Sequence, residues 1–408
     1  QPVLCSSGYA IKEYKRDADG NITGEFYFDT QGNPAKSSLG EYGQIYERDE
    51  NGRINQIMYV DAADEFRSLG CELYVINSAE RLGKYADMFK DAGYKVYHLP
   101  CPSGLITRWS YCQQIVRLVK KEGIDVIHTH ASNMKWDMAL VACLAGIRSV
   151  YTFHSCFKSR PISFLYHIWL RWSAKNLLSC KFQTISDSVY DNERLYYHND
   201  TIKIYNWFGN KRFFPADKAE KQAVRKELGI SKDSFVIISV GGCSVNKRHH
   251  DIIKALPDLL KEKNNLMYLH LGQGDTTEEE KTLARKLGVE NKIRFMGNQK
   301  EVRKFLIVSD VYLMTSHYEG ISLTTIEALA CKIPAILYDV PGLRDFNKEQ
   351  LCSLLIPEQS TEIVKAIKKL RTNSGEKEMI IKNGYEMVMR KFFLPTNVRQ
   401  IFKLYQGS

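Results

Sequence analysis

Residues 310–338 have the sequence DVYLMTSHYEGISLTTIEALACKIPAILY, which predicts a strand, a loop, a helix and a second strand. Asp310–Met314 and Ala335–Tyr338 are short apolar runs, typical of strands that are buried on both faces. The helix between them begins near Ser322. Because two strands connected through a helix pair in parallel, this segment predicts one unit of a doubly wound α/β sheet.

The same alternation of strand and helix extends along the chain on the N-terminal side of this segment. In the second half it predicts strands at Phe235–Val240, Leu266–Leu271 and Ile293–Met296, and helices at His250–Lys263 and Glu278–Leu287. In the first half it predicts strands at Leu73–Ile76, Lys95–Leu99, Val126–Ile127 and Val150–Phe153, and helices at Ala79–Ala92, Ser110–Glu122 and Trp136–Ala145. We therefore expect two Rossmann-like doubly wound domains that face a cleft, with a ligand at the carboxyl ends of the strands.

The first 61 residues differ from the rest and predict a small β-hairpin repeat segment. Tyr14–Ile22 recurs as Tyr46–Ile54, and each copy holds an Asp-Gly or Asn-Gly pair that favours a two-residue hairpin turn. We interpret the segment as a spacer or oligomerisation arm, with glycan binding as the alternative. The expected division is residues 1–61 for the repeats, 62–206 and 207–380 for the two Rossmann-like domains, and 381–408 for a C-terminal helix.

Composition excludes several protein classes. The 408 residues are 44% hydrophobic and 25% charged, close to the average of globular proteins and unlike disordered or collagen-like chains. Uncharged stretches are too short for a membrane span, and residues 1–20 lack the apolar core of a signal peptide. The ten cysteines are scattered without metal-ligand spacing, so we expect reduced thiols in the cytosol and no metal site.

The net charge of +10 suggests a polyanionic partner, such as nucleic acid, an acidic membrane or a phosphorylated substrate. No nucleic-acid-binding motif is present, so nucleic acid is not expected as a partner.

Two loops carry residues suited to binding a diphosphate. Gly241 and Gly242 follow a predicted strand, and Lys247 and Arg248 come just before the next helix. Glycines allow backbone amides to approach an anion, and the lysine adds a positive charge. The alternative is a solvated basic loop.

The second loop holds Glu319 and Gly320, and the helix that follows begins with amides aimed back toward the cleft. Glu327 lies about two turns further along that helix. Glu319 could face a sugar while Glu327 accepts ribose hydroxyls, although a helix cap and a surface ion pair would explain the two residues equally well. His154, at the end of a strand in the first half, is a third candidate, with a structural histidine as its alternative.

Together these pieces resemble the retaining glycosyltransferases of the family four type, which have the GT-B fold. The most specific match is the pair Glu319 and Glu327, with seven residues between them in EGISLTTIE, supported by Asp125–His130, Thr152–His154 and Ile293–Gly297. The resemblance implies transfer of a sugar, with retention of configuration, from a nucleotide-sugar to a glycan or lipid-linked acceptor in polysaccharide or glycolipid assembly. No tightly bound cofactor or metal is implied.

The resemblance also implies roles for individual residues. His154 and Glu319 would be catalytic, the first positioning the transferred sugar and the second binding it. Lys247 would bind the donor diphosphate and Glu327 its ribose. The remaining donor-binding residues would be Gly241, Gly242, Arg248, Gly297, Asn298, Gly320, Ile321, Ser322 and Leu323.

Two departures from the family pattern are expected to matter. Gly242 stands where the family usually has an arginine, and Arg248 is the residue expected to compensate. The first family strand and its glycine-rich loop are not recognisable, although Ile57–Val60 could serve as that strand. The alternative function is therefore a catalytically weak or inactive homologue that acts as a glycan-binding or scaffold subunit.

A helical segment in the first half combines aromatic and basic residues. Residues 138–186 contain no Asp or Glu. Apolar residues recur there at helical spacing, namely Phe164, Leu165, Ile168, Trp169 and Trp172, with Arg171 and Lys175 nearby. The candidates for a membrane-facing surface are Trp169, Arg171, Trp172 and Lys175. We interpret these four residues as facing an anionic membrane, which would place a cytoplasmic protein on the inner face of the cell membrane. The alternative is an ordinary helix that packs on the core.

Overall fold

The computed structural model describes residues 11–16, 22–28, 43–45, 59–80, 86–156, 158–159, 161–262 and 265–407. Near the N-terminus, strands β1 (Ile11–Arg16), β2 (Ile22–Phe28) and β3 (Gly43–Ile45) form an antiparallel sheet in that order. β1 and β2 flank the predicted Asp19-Gly20 turn, but both predicted turns lie outside the described residues. The role of the repeats stays a prediction.

The first α/β region contains six parallel strands in two sheets. β4 (Tyr74–Asn77) pairs with β5 (Lys95–His98), and a four-stranded sheet has the order β6 (Val126–Thr129), β7 (Arg148–Phe153), β8 (Lys181–Thr184), β9 (Ile202–Lys203). The helices are α1 (Ala63–Ser68), α2 (Ala86–Asp91), α3 (Leu105–Glu122), α4 (Lys135–Ala145), α5 (Pro161–Asn176) and α6 (Asp187–Asp191).

The break between these two sheets marks the position of the first family strand. In a doubly wound domain of order 3-2-1-4-5-6, strand 1 lies between strands 2 and 4. β4 and β6 hold those two places, and no described strand joins them. Tyr59 and Val60 are helical, so the strand expected at Ile57–Val60 is wrong for these two residues. The helical turn leads directly into α1, because the sequence there has no glycine to open a loop.

The second α/β region contains one parallel sheet of six strands. Its order is β12 (Ile293–Gly297), β11 (Leu266–Leu271), β10 (Phe235–Val240), β13 (Val311–Met314), β14 (Ala335–Tyr338), β15 (Leu354–Ile356). The helices are α7 (Lys218–Glu227), α8 (His249–Glu262), α9 (Thr277–Lys286), α10 (Val302–Val308), α11 (Leu323–Ala330), α12 (Ser360–Thr372) and α13 (Ser374–Lys391). β13 and β14 are buried along their length, as their continuous apolar sequence predicts.

The last helix, α14 (Leu394–Gln406), returns to the first α/β region. The Tyr405 ring stacks on Phe66 of α1, and its carbonyl oxygen accepts a hydrogen bond of 2.7 Å from Arg148. An ion pair of 3.1 Å joins Arg399 to Glu65. The C-terminal helix therefore ties the two α/β regions together.

Arg171 on α5 is not surface-exposed, so its predicted membrane-facing position is wrong. Its side chain is buried and forms two hydrogen bonds, of 2.7 and 2.8 Å, with the carboxylate of Glu193. The guanidinium also lies 3.6 Å from the ring centre of Tyr197. A buried arginine needs such a partner, because an unpaired charge inside a protein is costly. Trp169, Trp172 and Lys175 on the same helix are exposed, as predicted.

Replacement of Arg171 by methionine should lower the free energy of unfolding by about 3 kcal/mol, because Glu193 would be left buried without its partner. Lys175→Met, one turn further along the helix and exposed, should change it by no more than about 0.5 kcal/mol. Urea denaturation followed by tryptophan fluorescence measures both values. Equal effects of the two substitutions would contradict the buried pair.

Candidate functional site

The site lies where the strand order of the second sheet reverses. The chain progresses from β10 outward to β11 and β12, then returns to the other side of β10 with β13. The loops after β10 and β13 therefore leave the same edge on either side of a crevice. Asn246 joins them, because its carbonyl oxygen accepts a hydrogen bond of 2.8 Å from His317 and its side chain donates one of 3.1 Å to Tyr318.

Lys247 and Glu319 meet at the centre of this crevice. The ammonium nitrogen of Lys247 lies 2.7 Å from a carboxylate oxygen of Glu319, and both side chains are buried. The lysine backbone is fixed by Thr315, whose hydroxyl donates a hydrogen bond of 2.8 Å to its carbonyl oxygen.

Gly320 brings the two α/β regions into contact. A Cβ atom at this position would lie 1.8 Å from the carbonyl oxygen of His154, so only glycine fits. The carbonyl oxygen of Gly320 accepts a hydrogen bond of 2.6 Å from the Ser186 hydroxyl. Nearby, Ser188 donates two hydrogen bonds, of 2.8 and 2.6 Å, to the carboxylate of Asp345. These contacts place Glu319 beside His154.

The N-terminus of helix α11 closes one wall of the site. Ser322 is the N-cap, and its hydroxyl accepts a hydrogen bond of 3.2 Å from the amide of Thr325. Thr324 donates to the carbonyl oxygen of Val240, the last residue of β10. This contact sets the helix start, with the buried residues Ile321, Ser322 and Leu323, beside the strand end that precedes Gly241 and Gly242.

Gly297 and Asn298 lie at the rim of the same edge. The amide of Gly272, after β11, donates a hydrogen bond of 2.9 Å to the carbonyl oxygen of Gly297. Asn298 is exposed. The structure thus gathers the donor-binding candidates along the carboxyl edge of β10, β11, β12 and β13.

Glu327 lies on α11 in a setting that disfavours its charge. Burial raises the pKa of its carboxyl group to about 8, although the guanidinium of Arg212 acts in the opposite direction. Arg212 is itself paired with Asp61 at 2.9 Å. Burial also raises the pKa of Asp61. A carboxyl group with a raised pKa in a cleft is a candidate for binding ligand hydroxyls.

His154 belongs to a cluster of three histidines. Its Nε2 lies 2.9 Å from Nδ1 of His130, and the ring of His128 lies 4.3 Å from that of His130, centre to centre. Burial lowers the pKa of His130 to about 4 and holds that of His154 well below the usual range. Both rings are therefore neutral near pH 7, so each has one N–H donor and one acceptor nitrogen.

Arg248 was expected to compensate for the missing arginine at Gly242, but its side chain is paired with two carboxylates. Its guanidinium forms ion pairs of 2.8 Å with Asp251 and 2.9 Å with Glu358. We therefore leave Arg248 out of the proposed set of phosphate ligands. Gly242 occupies the position at which the family usually has an arginine. In the described part of this loop, the cation that lies beside Glu319 is therefore Lys247.

Sequence reasoning missed Asp61, Arg212 and the role of His130. Asp61 and Arg212 are far apart in the chain, and neither belongs to a motif. His130 was a family match without a role, and only the parallel pairing of β6 with β7 sets it beside His154.

Two family models match this chain. Residues 57–241 match Glycosyltransferase Family 4, and residues 220–387 match Glycosyl transferases group 1. Together they span most of the 408 residues and both α/β regions. The chain belongs to the glycosyltransferases with the GT-B fold.

Three proteins with similar sequences support this assignment. An uncharacterized glycosyltransferase of Methanocaldococcus jannaschii, MJ1607, is 26% identical over 56% of this chain and 60% of its own length. Alpha-monoglucosyldiacylglycerol synthase of Acholeplasma laidlawii is 26% identical over 74% of this chain and 80% of its own. An Escherichia coli galactosyltransferase, named for UDP-Gal and alpha-D-GlcNAc-diphosphoundecaprenol, is 24% identical over 84% and 91%.

Several of these relatives match over only part of their length. The chain spans 60%, 64% and 48% of three of the curated relatives it matches.

A solved structure shows the same fold. The Anabaena protein HepE in complex with UDP superposes with a TM-score of 0.75 at 17% identity, over 86% of this chain and 96% of that one. The two Rossmann-like domains predicted from the sequence are confirmed.

Glu327→Gln should make stability less dependent on pH. The pKa of Glu327 is raised in the folded state, so its stabilising contribution is complete below the unfolded pKa and is lost as pH rises through about 8. Between about pH 5 and about pH 9, we expect the free energy of unfolding of the variant to increase by on the order of 2 kcal/mol relative to that of the parent. Urea denaturation at the two pH values measures this difference.

Glu362→Gln on α12 is the control, because that carboxylate is partly exposed and paired with Lys365 at 2.6 Å. If both variants follow the parent's pH dependence, the pKa of Glu327 is not raised in the folded state.

Proposed function

We propose that this protein transfers a sugar, with retention of configuration, from a nucleotide-sugar to a glycan or lipid-linked acceptor. The observation that carries the proposal is the buried Lys247–Glu319 pair, at 2.7 Å, beside the start of α11 and against His154. A cation, helix amides and a carboxylate thus converge at one point. The first two suit a diphosphate, and the third suits sugar hydroxyls.

In this proposal the leaving group is the nucleoside diphosphate. Lys247 and the amides of Ile321, Ser322 and Leu323 bind its phosphates and stabilise the negative charge that develops as the sugar–phosphate bond breaks. Because Glu319 already orients the lysine, little reorganisation is required when the donor binds. Glu327 binds the ribose hydroxyls, and the rim at Gly297 and Asn298 lies against the base.

Glu319 and His154 act on the sugar. Glu319 accepts hydrogen bonds from sugar hydroxyls, and His154, which lies against the loop of Glu319 and Gly320, positions the transferred sugar. Since the histidine is neutral, it can donate or accept a hydrogen bond without bringing a charge near the anomeric carbon. Retention requires the acceptor to attack from the face that the diphosphate leaves, so in this proposal the acceptor enters beside the departing diphosphate.

The names of two relatives favour a lipid-linked acceptor. One is named alpha-monoglucosyldiacylglycerol synthase, and the name of the other includes alpha-D-GlcNAc-diphosphoundecaprenol. HepE was solved with UDP, which favours a uridine nucleotide as the donor carrier.

Helix α5 supports contact with a membrane. Ile162, Leu165, Tyr166, Trp169 and Trp172 follow one another at helical spacing, and all are at least half exposed. Residues 138–186 contain no acidic side chain. An apolar, aromatic helix face within a basic region matches an anionic membrane surface. Among the described residues, no helix is both long enough and apolar enough to cross a bilayer.

Calorimetry with UDP, GDP and ADP tests the donor site. We expect one nucleotide to bind selectively and Lys247→Met to weaken it by about 10- to 100-fold, as for loss of one charge-assisted hydrogen bond. The double variant Lys247→Met/Glu319→Gln should bind equally weakly, which excludes an artefact from leaving Glu319 unpaired. NMR of the product formed from the matching nucleotide-sugar then reports whether the anomeric configuration is retained.

Lys261→Met is the control, since this exposed lysine pairs with Asp258 on the outside of α8. Binding of none of the nucleotides by the parent protein would overturn the proposal in favour of a glycan-binding or scaffold homologue. An inverted product would overturn retention alone.

Vesicle flotation tests the membrane contact. The parent should float with vesicles that contain anionic lipid, and Leu165→Ser/Trp169→Ser should remain at the bottom, because it loses apolar area at the centre of the α5 face. Met379→Ser on α13 removes an exposed apolar side chain elsewhere and should float like the parent. Failure of the parent to float at moderate salt would contradict the membrane contact.

A further inference from the structure

Four metal-ligating side chains meet behind the donor loop. Cys243 follows β10, His249 begins α8, His270 belongs to β11 and Glu280 lies on α9. Each is at most 2% exposed. One ligand atom from each lies within 4.8 Å of the other three. The motifs already described do not use this cluster.

The distances in the cluster fit a tetrahedral ion. Cys243 Sγ lies 3.9 Å from His270 Nε2, and His249 Nδ1 lies 3.6 Å from a carboxylate oxygen of Glu280. A tetrahedral zinc ion, with bonds of about 2.0 Å to nitrogen or oxygen and about 2.3 Å to sulfur, separates its ligands by about 3.3 to 3.6 Å. His270 Nε2 and Glu280 are closer, at 2.9 Å, because they share a hydrogen bond.

Two ring nitrogens of the cluster, His249 Nδ1 and His270 Nδ1, are unsatisfied among the described residues, and the first of them faces another ligand. Among the described residues, His249 Nδ1 has no hydrogen-bond partner, although the residue is buried and the atom points toward Glu280. A buried polar atom without a partner is rare and requires an explanation. A metal ion between His249 and Glu280 would provide one.

Charge balance also favours an ion. A Glu280 carboxylate would be a buried negative charge between His249 and His270. Such a charge is costly without a cation. A dication with one thiolate and one carboxylate has no net charge. Thr276 already orients the carboxylate through a hydrogen bond of 2.7 Å, as outer partners of metal ligands commonly do.

We propose that Cys243, His249, His270 and Glu280 bind one zinc ion. Sulfur and imidazole ligands together favour zinc over magnesium or calcium. Four protein ligands complete a tetrahedral shell, so the site is structural. The Cys243 thiol loses its proton to solvent when the zinc–sulfur bond forms. The ion holds both ends of the segment 243–249 and thereby fixes the position of Lys247.

Metal analysis of the purified 408-residue chain tests this site. After equilibration with zinc and gel filtration, the parent should retain about one zinc ion per chain, and Cys243→Ser and His249→Ala less than about a tenth of that. Cys352→Ser is the control, because this buried cysteine of the same α/β region lies outside the cluster. It should retain zinc like the parent.

Cobalt provides a measurement that does not depend on variants. The parent loaded with cobalt should show the visible absorption of a tetrahedral ion and a thiolate-to-metal band, and the band should be missing in Cys243→Ser. Removal of zinc from the parent by a chelator should lower the melting temperature by about 5 °C or more. None of these measurements uses a nucleotide, so they fail or succeed independently of the proposed transfer.

A parent without bound zinc, or one that loses zinc with no change in melting temperature, would overturn the proposal. Retention of zinc by both cluster variants would overturn it equally, since the ion would then lie elsewhere.

Discussion

The reversal of strand order between β10 and β13 is the constraint on which the site depends. It places two loops side by side at the carboxyl edge of the sheet, and Lys247 and Glu319 become partners there. A buried ion pair is stable only when both members are present and well oriented. The hydrogen bonds of Asn246 and Thr315 supply that orientation, and Gly320 allows the joined loops to lie against His154.

Burial sets the charge state of the groups around that pair. His130 and His154 are neutral near pH 7, and the carboxyl group of Glu327 titrates near pH 8. The crevice therefore combines the Lys247–Glu319 ion pair with neutral hydrogen-bonding groups, which suits a ligand with a charged diphosphate and uncharged hydroxyls. The proposed zinc site lies directly behind the same loop and would restrict its movement. The position of Lys247 would thus depend on the metal ligands, because they belong to the same loop or pack directly behind it.

The two α/β regions differ in how well the sequence predicts them. In the second region, the predicted strands and helices agree with the structure to within a few residues, because strands buried on both faces give continuous apolar runs. The first region is less regular, since its sheet is divided at the place of the first family strand. Arg171 shows the limit of pattern reasoning: its helical position was right, but its pairing with a glutamate on another element could not be read from spacing.

By itself the sequence determined the fold class, the two loops and the glutamate pair, because alternating apolar runs and short motifs are local properties. The domain boundaries and residue roles stay predictions. Only the tertiary structure decided which distant groups meet: Asp61 with Arg212, His130 with His154, and Cys243 with His249, His270 and Glu280. The physical reason is that parallel strands bring residues from separate crossover units to one sheet edge, and no periodicity along the chain encodes those contacts.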